Sequence, residues 1–319
     1  TDELLQAYMS YLTCSWGAAS STIVQSCGQT YRVSFDSMEQ IRTDTLSVRS
    51  VRLHVEKPDT WSNPTRSLLL QSQLWARWDI WQREHDSDVI KTIESLLRGT
   101  AHQVSSAFQR SQCHLLQHAE VGRVWRIENF DLWRKYVQHV QAMASPGLGL
   151  QAGGTREDPL GSCDSVWNQA LGPLQGSYTF SHQANERWLF HGTTYDAAQK
   201  IVEIGFDHRI SKLSSMYGAG AYFTSQSCKS HTYSGRDGNQ QGFYVFLARV
   251  AVGMPYCTTK VCRDFRRPPE IGHGPQLYSS VVANPGPMKG HHKQFQDHQE
   301  FVIYSEAQAY PAFLISYHV

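Results

Sequence analysis

The stretch from Trp188 to Tyr233, WLFHGTTYDAAQKIVEIGFDHRISKLSSMYGAGAYFTSQSCKSHTY, most restricts what this chain can become. Its apolar start, Trp188-Leu189-Phe190, reads as a strand. The strand ends on His191-Gly192, where a side chain with two ring nitrogens stands beside a backbone with no side chain in the way. Thr193 or Thr194 then caps a helix whose apolar side is Ala197, Ala198, Ile201 and Val202, with Gly205 as its stop. Next, Tyr217-Gly-Ala-Gly-Ala-Tyr222-Phe223 has glycine spacing that lets something approach the backbone closely. On a helix, Ser230 and Tyr233 would share a face. A histidine, a glycine, a serine and two tyrosines suit a flat, amide-bearing ring.

These motifs follow one another in a particular order: HGT, GAGAYF, SCKSHTY and, much later, Glu300-Phe-Val-Ile-Tyr304. In that order they resemble the catalytic domain of the PARP family, the diphtheria-toxin-like ADP-ribosyltransferases. The family's His–Tyr–Glu signature falls on His191, Tyr222 and Glu300. The closing run EFVIYSEAQAYPAFLISY is similar to the ends of tankyrases and of macrodomain- or WWE-containing members. The resemblance implies an α+β fold of two packed, mostly antiparallel sheets with few helices and an NAD crevice between them. It also implies transfer of ADP-ribose from NAD, as substrate, to protein side chains, with release of nicotinamide.

Residue roles follow from the same resemblance. Glu300 would hold the ribose 2′-hydroxyl and accept the nucleophile's proton. Tyr222 and Tyr233 would sandwich the nicotinamide, and Gly192 and Ser230 would bind its carboxamide. His191 would take a ribose hydroxyl on the adenosine side. A glutamate at 300 is usual in chain-extending members, although some members that carry it transfer a single unit. Two alternatives stand beside this activity: an inactive transferase fold whose chain reads ADP-ribose through a WWE-like domain, and an NAD glycohydrolase.

Upstream, Gly28-Gln-Thr-Tyr31-Arg-Val33-Ser-Phe35 alternates in part, and residues 45–55 carry apolar side chains in period two. The run GQTYRVSFDSMEQIRTDTLSVRSVR resembles the second half of a WWE domain, with the Trp-bearing opening strand missing before Thr1. Such modules bind ADP-ribose units, which places ligand contacts at Tyr31, Gln40 and Arg49. The expected organisation is therefore a small α+β WWE-like module at 1–55 and a transferase unit at 58–319. Residues 58–120 lead into the transferase unit. There Trp75, Trp78 and Trp81 form a helical packing stripe with nearby leucines. Residues 88–97 form an amphipathic helix capped by Asp86 or Ser87 and stopped by Gly99. Residues 121–136 read as a strand and helix, and 241–252 as a buried strand. The Gly-, Pro- and Ser-rich segment 145–180 is expected to be a mobile surface insertion.

Charge and cysteine usage narrow the partners. Lys+Arg 29 against Asp+Glu 28 leaves +1 with no basic cluster, which argues against a nucleic-acid surface. Seven scattered cysteines without a CxxC pair favour reduced thiols and a nuclear or cytoplasmic, non-secreted location. No apolar run is long enough for a bilayer. The expected partners are protein acceptors and, through the WWE-like module, ADP-ribosylated proteins. No metal is expected. The stretch where tankyrases hold zinc is GRDGNQQG here, and Cys257, Cys262 and His273 lack zinc spacing. His291, His292 and His298 read as solvated loop histidines.

Overall fold

The computed structural model describes residues 7, 21–35, 39–50, 61, 81–101, 113–144, 174, 180–211, 215–235, 242–272, 274–283 and 298–319. The chain divides into two compact units: Thr1–Glu56 with Gln141–Gly149, and Lys57–Val140 with Leu150–Val319. In the first unit the partial alternation after Gly28 makes an antiparallel meander of β1 (Ser21–Ser26), β2 (Gln29–Ser34), β3 (Glu39–Arg42) and β4 (Val48–Ser50). Cys27-Gly28 is its first two-residue turn, with both φ angles positive, as such hairpins require. Val33 and Phe35 are buried, whereas Ile23 and Val48 of the opposite face are exposed.

The second unit is built on two sheets and a few helices. Its strands are β5 (Trp81–Arg83), β6 (Glu120–Ile127), β7 (Glu186–Thr193), β8 (Ala221–Phe223), β9 (Phe243–Ala251), β10 (Pro255–Thr258), β11 (Ser280–Ala283), β12 (Glu300–Ile303) and β13 (Ala309–His318). One sheet runs β5-β6-β13-β9-β7 and is antiparallel throughout. The other runs β10-β11-β12-β8, and only β10 and β11 are parallel. Among the described residues the longer helical segments are α1 (Ser87–Gly99), α2 (Phe130–Ala144, of which residues 141–144 are counted with the first unit), α3 (Tyr195–Ile204) and α4 (Ser227–His231). This is the expected α+β architecture of packed, mostly antiparallel sheets.

The near-continuous apolar runs of β9 and β13 take central positions, where neither face meets water. One side of the sheet packs Leu189, Phe246 and Leu314 against Phe223, Phe301 and Ile303 of the second sheet and Ala198 and Val202 of α3. On the other side α2 lays Trp133 edge-on against Tyr310 at 5.1 Å. The sheets are stitched where Phe190 N–H donates to Thr224 O at 2.8 Å and Thr224 N–H returns to Phe190 O at 3.0 Å. That seam lies one residue before His191.

An ion pair is sealed into this structure. Arg249 Nη2 lies 2.8 Å from Glu186 Oε1, with side-chain exposures of 5% and 0%. Glu186 also accepts from Tyr136 Oη at 2.6 Å and from the Ser181 amide at 2.8 Å. The Arg249 guanidinium sits 4.5 Å over the Phe180 ring.

The local helix signals hold. Asp86 caps α1 by accepting from the Asp88 and Val89 amides, and Thr194 caps α3 by accepting from the Ala197 amide. Among the described residues no helix is long and apolar enough to cross a membrane. Trp81, expected on a helical stripe with Trp75 and Trp78, instead opens strand β5 and pairs with Ile127. Other expectations lie outside the described residues: Trp75, Trp78 and their leucines, the 145–180 segment apart from Leu174 and Phe180, and His273, His291 and His292.

Candidate active site

Gly192 lies on β7, the edge strand of the larger sheet. Antiparallel strands alternate residues whose backbone groups face the partner with residues whose groups face away. Phe190 directs both its groups to Thr224, away from β9. Gly192, two residues on, points its N–H and C=O the same way, past the end of the seam. A Cβ on Gly192 would stand 1.8 Å from Ser230 O and 2.8 Å from Ser230 C. Only glycine lets α4 come this close to the strand. Gly192→Ala should therefore force strand and helix apart at a cost of about 1–3 kcal/mol. At roughly 2–4 °C per kcal/mol for a domain of this size, thermal denaturation will show it, and an unchanged midpoint would refute the close approach.

His191 is wedged between Phe206 and Phe223, with ring centroids at 5.0 and 5.4 Å. Its Nδ1 lies 2.8 Å from Tyr222 O. A carbonyl oxygen only accepts, so Nδ1 carries the proton and Nε2 is left as an acceptor. Burial lowers the imidazole pKa, against the opposing effect of that hydrogen bond, so the ring is neutral at physiological pH.

Tyr222 stands directly across from Val302 on the β8–β12 ladder. Residues two apart on a strand share a face, so Glu300 emerges on the Tyr222 side of the sheet. The opposite side carries Phe223 and Phe301 into the core. Tyr222 Oη donates to Gly218 O and accepts from the Tyr217 amide, both at 2.9 Å. Burial pushes its hydroxyl up to about 12, with the nearby Glu300 charge acting in the same direction, so it stays a neutral phenol. The glycines of Tyr217–Phe223 admit the protein's own backbone. A Cβ on Gly218 would meet Phe265 O at 2.3 Å, and one on Gly220 would meet Ile303 O at 2.7 Å.

Glu300 is 6% exposed, an unusual position for a carboxylate without a partner. Its partner is Lys229 of α4, with Nζ to Oε1 at 3.1 Å. Burial alone would lower the Lys229 pKa. The Glu300 carboxylate and the Tyr233 hydroxyl outweigh it, and the net direction is up. Lys229 Nζ also lies 5.5 Å from the centroid of the Tyr233 ring, which is 57% exposed. Ser230 is buried, and its hydroxyl donates to Ser227 O within the helix. The positions thus close a ring: His191 bonds Tyr222, Tyr222 shares a sheet face with Glu300, Glu300 pairs with Lys229, and the next residue, Ser230, packs on Gly192.

In the first unit Gln40 pairs with Arg49 across β3 and β4, and with Val33 across β2 and β3. Tyr31 is two residues from Val33, so Tyr31, Gln40 and Arg49 share one sheet face.

Nothing local in the sequence marks Lys229; α4 ends at His231, so Tyr233, expected to share a helical face with Ser230, lies beyond the helix. His298, expected in solvent, is instead 1% exposed. Its Nε2 lies 3.0 Å from Cys228 Sγ and 3.7 Å from Cys113 Sγ. Nothing local marks the three, since they come from distant parts of the chain.

Residues 100–319 match the poly(ADP-ribose) polymerase catalytic domain family, and residues 3–53 match the WWE domain family. The sequence is 34% identical over 200 residues to protein mono-ADP-ribosyltransferase PARP12 of Mus musculus, covering 62% of this chain and 24% of that protein; the Homo sapiens PARP12 gives the same figures. It is 23% identical over 309 residues to protein mono-ADP-ribosyltransferase PARP11 of Mus musculus, covering 90% of this chain and 77% of that protein. The chain spans about a quarter of the length of the PARP12 relatives.

Proposed function

This chain belongs to the poly(ADP-ribose) polymerase catalytic domain family, and on that premise we propose that it transfers ADP-ribose from NAD to protein side chains, releasing nicotinamide. The observation that carries this reading is the Lys229–Glu300 pair on the Tyr222 side of the second sheet, beside the Gly192 edge. Residues 58–319 form the transferase unit in this reading, and 1–55 form an ADP-ribose-binding module using Tyr31, Gln40 and Arg49.

In NAD the nicotinamide nitrogen is already cationic, so breaking the ribose–pyridinium bond expels a neutral ring and needs no general acid. The protein has to stabilise the oxocarbenium character left on the ribose. Glu300 accepts a hydrogen bond from the ribose 2′-hydroxyl, a contact that in glycoside cleavage strengthens in the transition state and contributes several kcal/mol with substrate distortion. Lys229 holds that carboxylate in place. As the acceptor side chain bonds to the anomeric carbon, its proton passes to Glu300. The Gly192 N–H and C=O hold the carboxamide. Ser230 joins them by turning its hydroxyl from Ser227 O. Tyr222 and the exposed ring of Tyr233 supply aromatic faces, worth roughly 1–3 kcal/mol each by analogy with base stacking. The neutral His191 offers Nε2 to a ribose hydroxyl.

PARP12 and PARP11 are mono-ADP-ribosyltransferases, which supports transfer of a single unit by this chain. A nuclear or cytoplasmic location accompanies it, supported by the free thiols among the described cysteines. Incubation with NAD labelled in its adenylate part tests the reading. One labelled protein species with free nicotinamide is the expected result. A ladder of heavier species would replace single-unit transfer with chain extension. Free ADP-ribose without labelled protein would make the chain a glycohydrolase. No nicotinamide release would leave it a reader.

A further inference from the structure

Cys113, Cys228 and His298 come from a helical turn at 113–116, from α4 and from the residues leading into β12. They are separated by as many as 185 positions, yet their ligand atoms all lie within 4.8 Å of one another. Exposures are 0%, 0% and 1%. Thiols and imidazoles distributed by packing alone have no reason to converge on one point from three elements. We propose that these residues bind a zinc ion.

The chemistry of the set supports zinc. Two thiolates and an imidazole are soft and borderline donors, the combination that selects zinc over calcium or magnesium. Two thiolates also cancel the charge of a divalent ion, so the filled site is neutral and suited to a dry interior. Zinc bonds of about 2.3 Å to sulfur and 2.0–2.1 Å to nitrogen put tetrahedral sulfur–nitrogen edges near 3.6 Å. The Cys113–His298 separation of 3.7 Å matches that edge, and the Cys228–His298 separation of 3.0 Å opens by about half an ångström. The fourth vertex is left to a small exogenous donor. Its ligands lie outside the GRDGNQQG stretch and do not include Cys257, Cys262 or His273.

The position of the ion bears on the proposed transferase site, and this part rests on that assignment. Cys228 adjoins Lys229, and His298 is two residues before Glu300. One ion bound to both would fix the two ends of the Lys229–Glu300 pair from behind.

Metal content tests the proposal without reference to activity. The full chain, purified without an affinity tag, should carry about one equivalent of zinc by atomic emission. Chelation should lower its melting temperature and zinc re-addition should restore it. Cys113→Ser, Cys228→Ser and His298→Gln should each lose the metal, whereas Cys257→Ser with Cys262→Ser should keep it. If the three variants do not fold, cobalt substitution of the unaltered chain still decides. Tetrahedral cobalt with thiolate charge-transfer absorption supports the site. A folded chain that takes up neither zinc nor cobalt overturns it, as does a Cys113–Cys228 disulfide or metal retained in all three variants. Transferase activity lost while metal content stands as expected would count against the catalytic reading alone.

Discussion

Glu300→Gln should lower the rate of ADP-ribose transfer on the order of 100-fold or more while leaving NAD affinity nearly unchanged. The substitution keeps the volume and one hydrogen-bonding oxygen but removes the charge. Only the charge meets the developing cation on the ribose, and stabilising groups of this kind in water-excluded sites are worth about 10²–10³ in turnover. Because that interaction strengthens in the transition state, the loss should fall on kcat, with KM nearly constant. Glutamine also leaves the Lys229 ammonium without its counter-ion in a site where its side chain is only 17% exposed. A second variant, Lys229→Met with Glu300 intact, separates the two effects. It should impair turnover less, since the carboxylate remains. Binding measured by calorimetry and single-turnover transfer measured with labelled NAD are the readouts. Turnover unchanged in Glu300→Gln would remove the residue from the chemistry.

The largest loss of stability is expected from Glu186→Gln. Arg249 is buried and depends on Glu186 for two of its hydrogen bonds, at 2.8 and 3.1 Å. Removing one partner strands a charge in the interior, which typically costs about 3–5 kcal/mol. At roughly 2–4 °C per kcal/mol for a domain of this size, the midpoint should fall by about 6–20 °C. The exposed Arg267–Glu270 pair, with exposures of 67% and 53%, is the internal control. Glu270→Gln should shift the midpoint little, because surface pairs contribute about 0–1 kcal/mol. Replacing both Arg249 and Glu186 with apolar residues should cost less than Glu186→Gln alone. Equal shifts for the buried and exposed single variants would show that Glu186 does not hold Arg249.

How much of this was legible in the sequence depends on how far apart the interacting groups lie. Asp86, Thr194 and Gly205 mark helix ends through bonds within a few residues, and each sits where its pattern put it. The nearly continuous apolar run at 241–252 reads as a buried strand for the same local reason, and β9 fills most of it. Arg249 interrupts that run, and nothing nearby explains a guanidinium there, since Glu186 is 63 residues away. His298 was misread for the same cause. Its environment consists of sulfur atoms 70 and 185 positions distant, and a histidine among loop residues gives no hint of them. Lys229 is hidden in the same way, because its carboxylate partner arrives only with β12. Tyr31, Gln40 and Arg49 lie on one face because the register of three strands puts them there, a relation no single strand displays.

One attachment bears on where this molecule can be cut. The hydroxyl of Ser227 donates to Leu97 O at 2.5 Å, and its amide donates to the Thr100 hydroxyl at 3.2 Å. Helix α4, which carries Lys229 and Ser230, thus hangs from the last turn of α1. The catalytic-domain match begins at residue 100, just past that turn. A fragment trimmed to this boundary would contain every candidate catalytic side chain and still lose the carbonyl that anchors their helix. Expression designs should therefore begin ahead of β5, so that the anchor travels with the site it steadies.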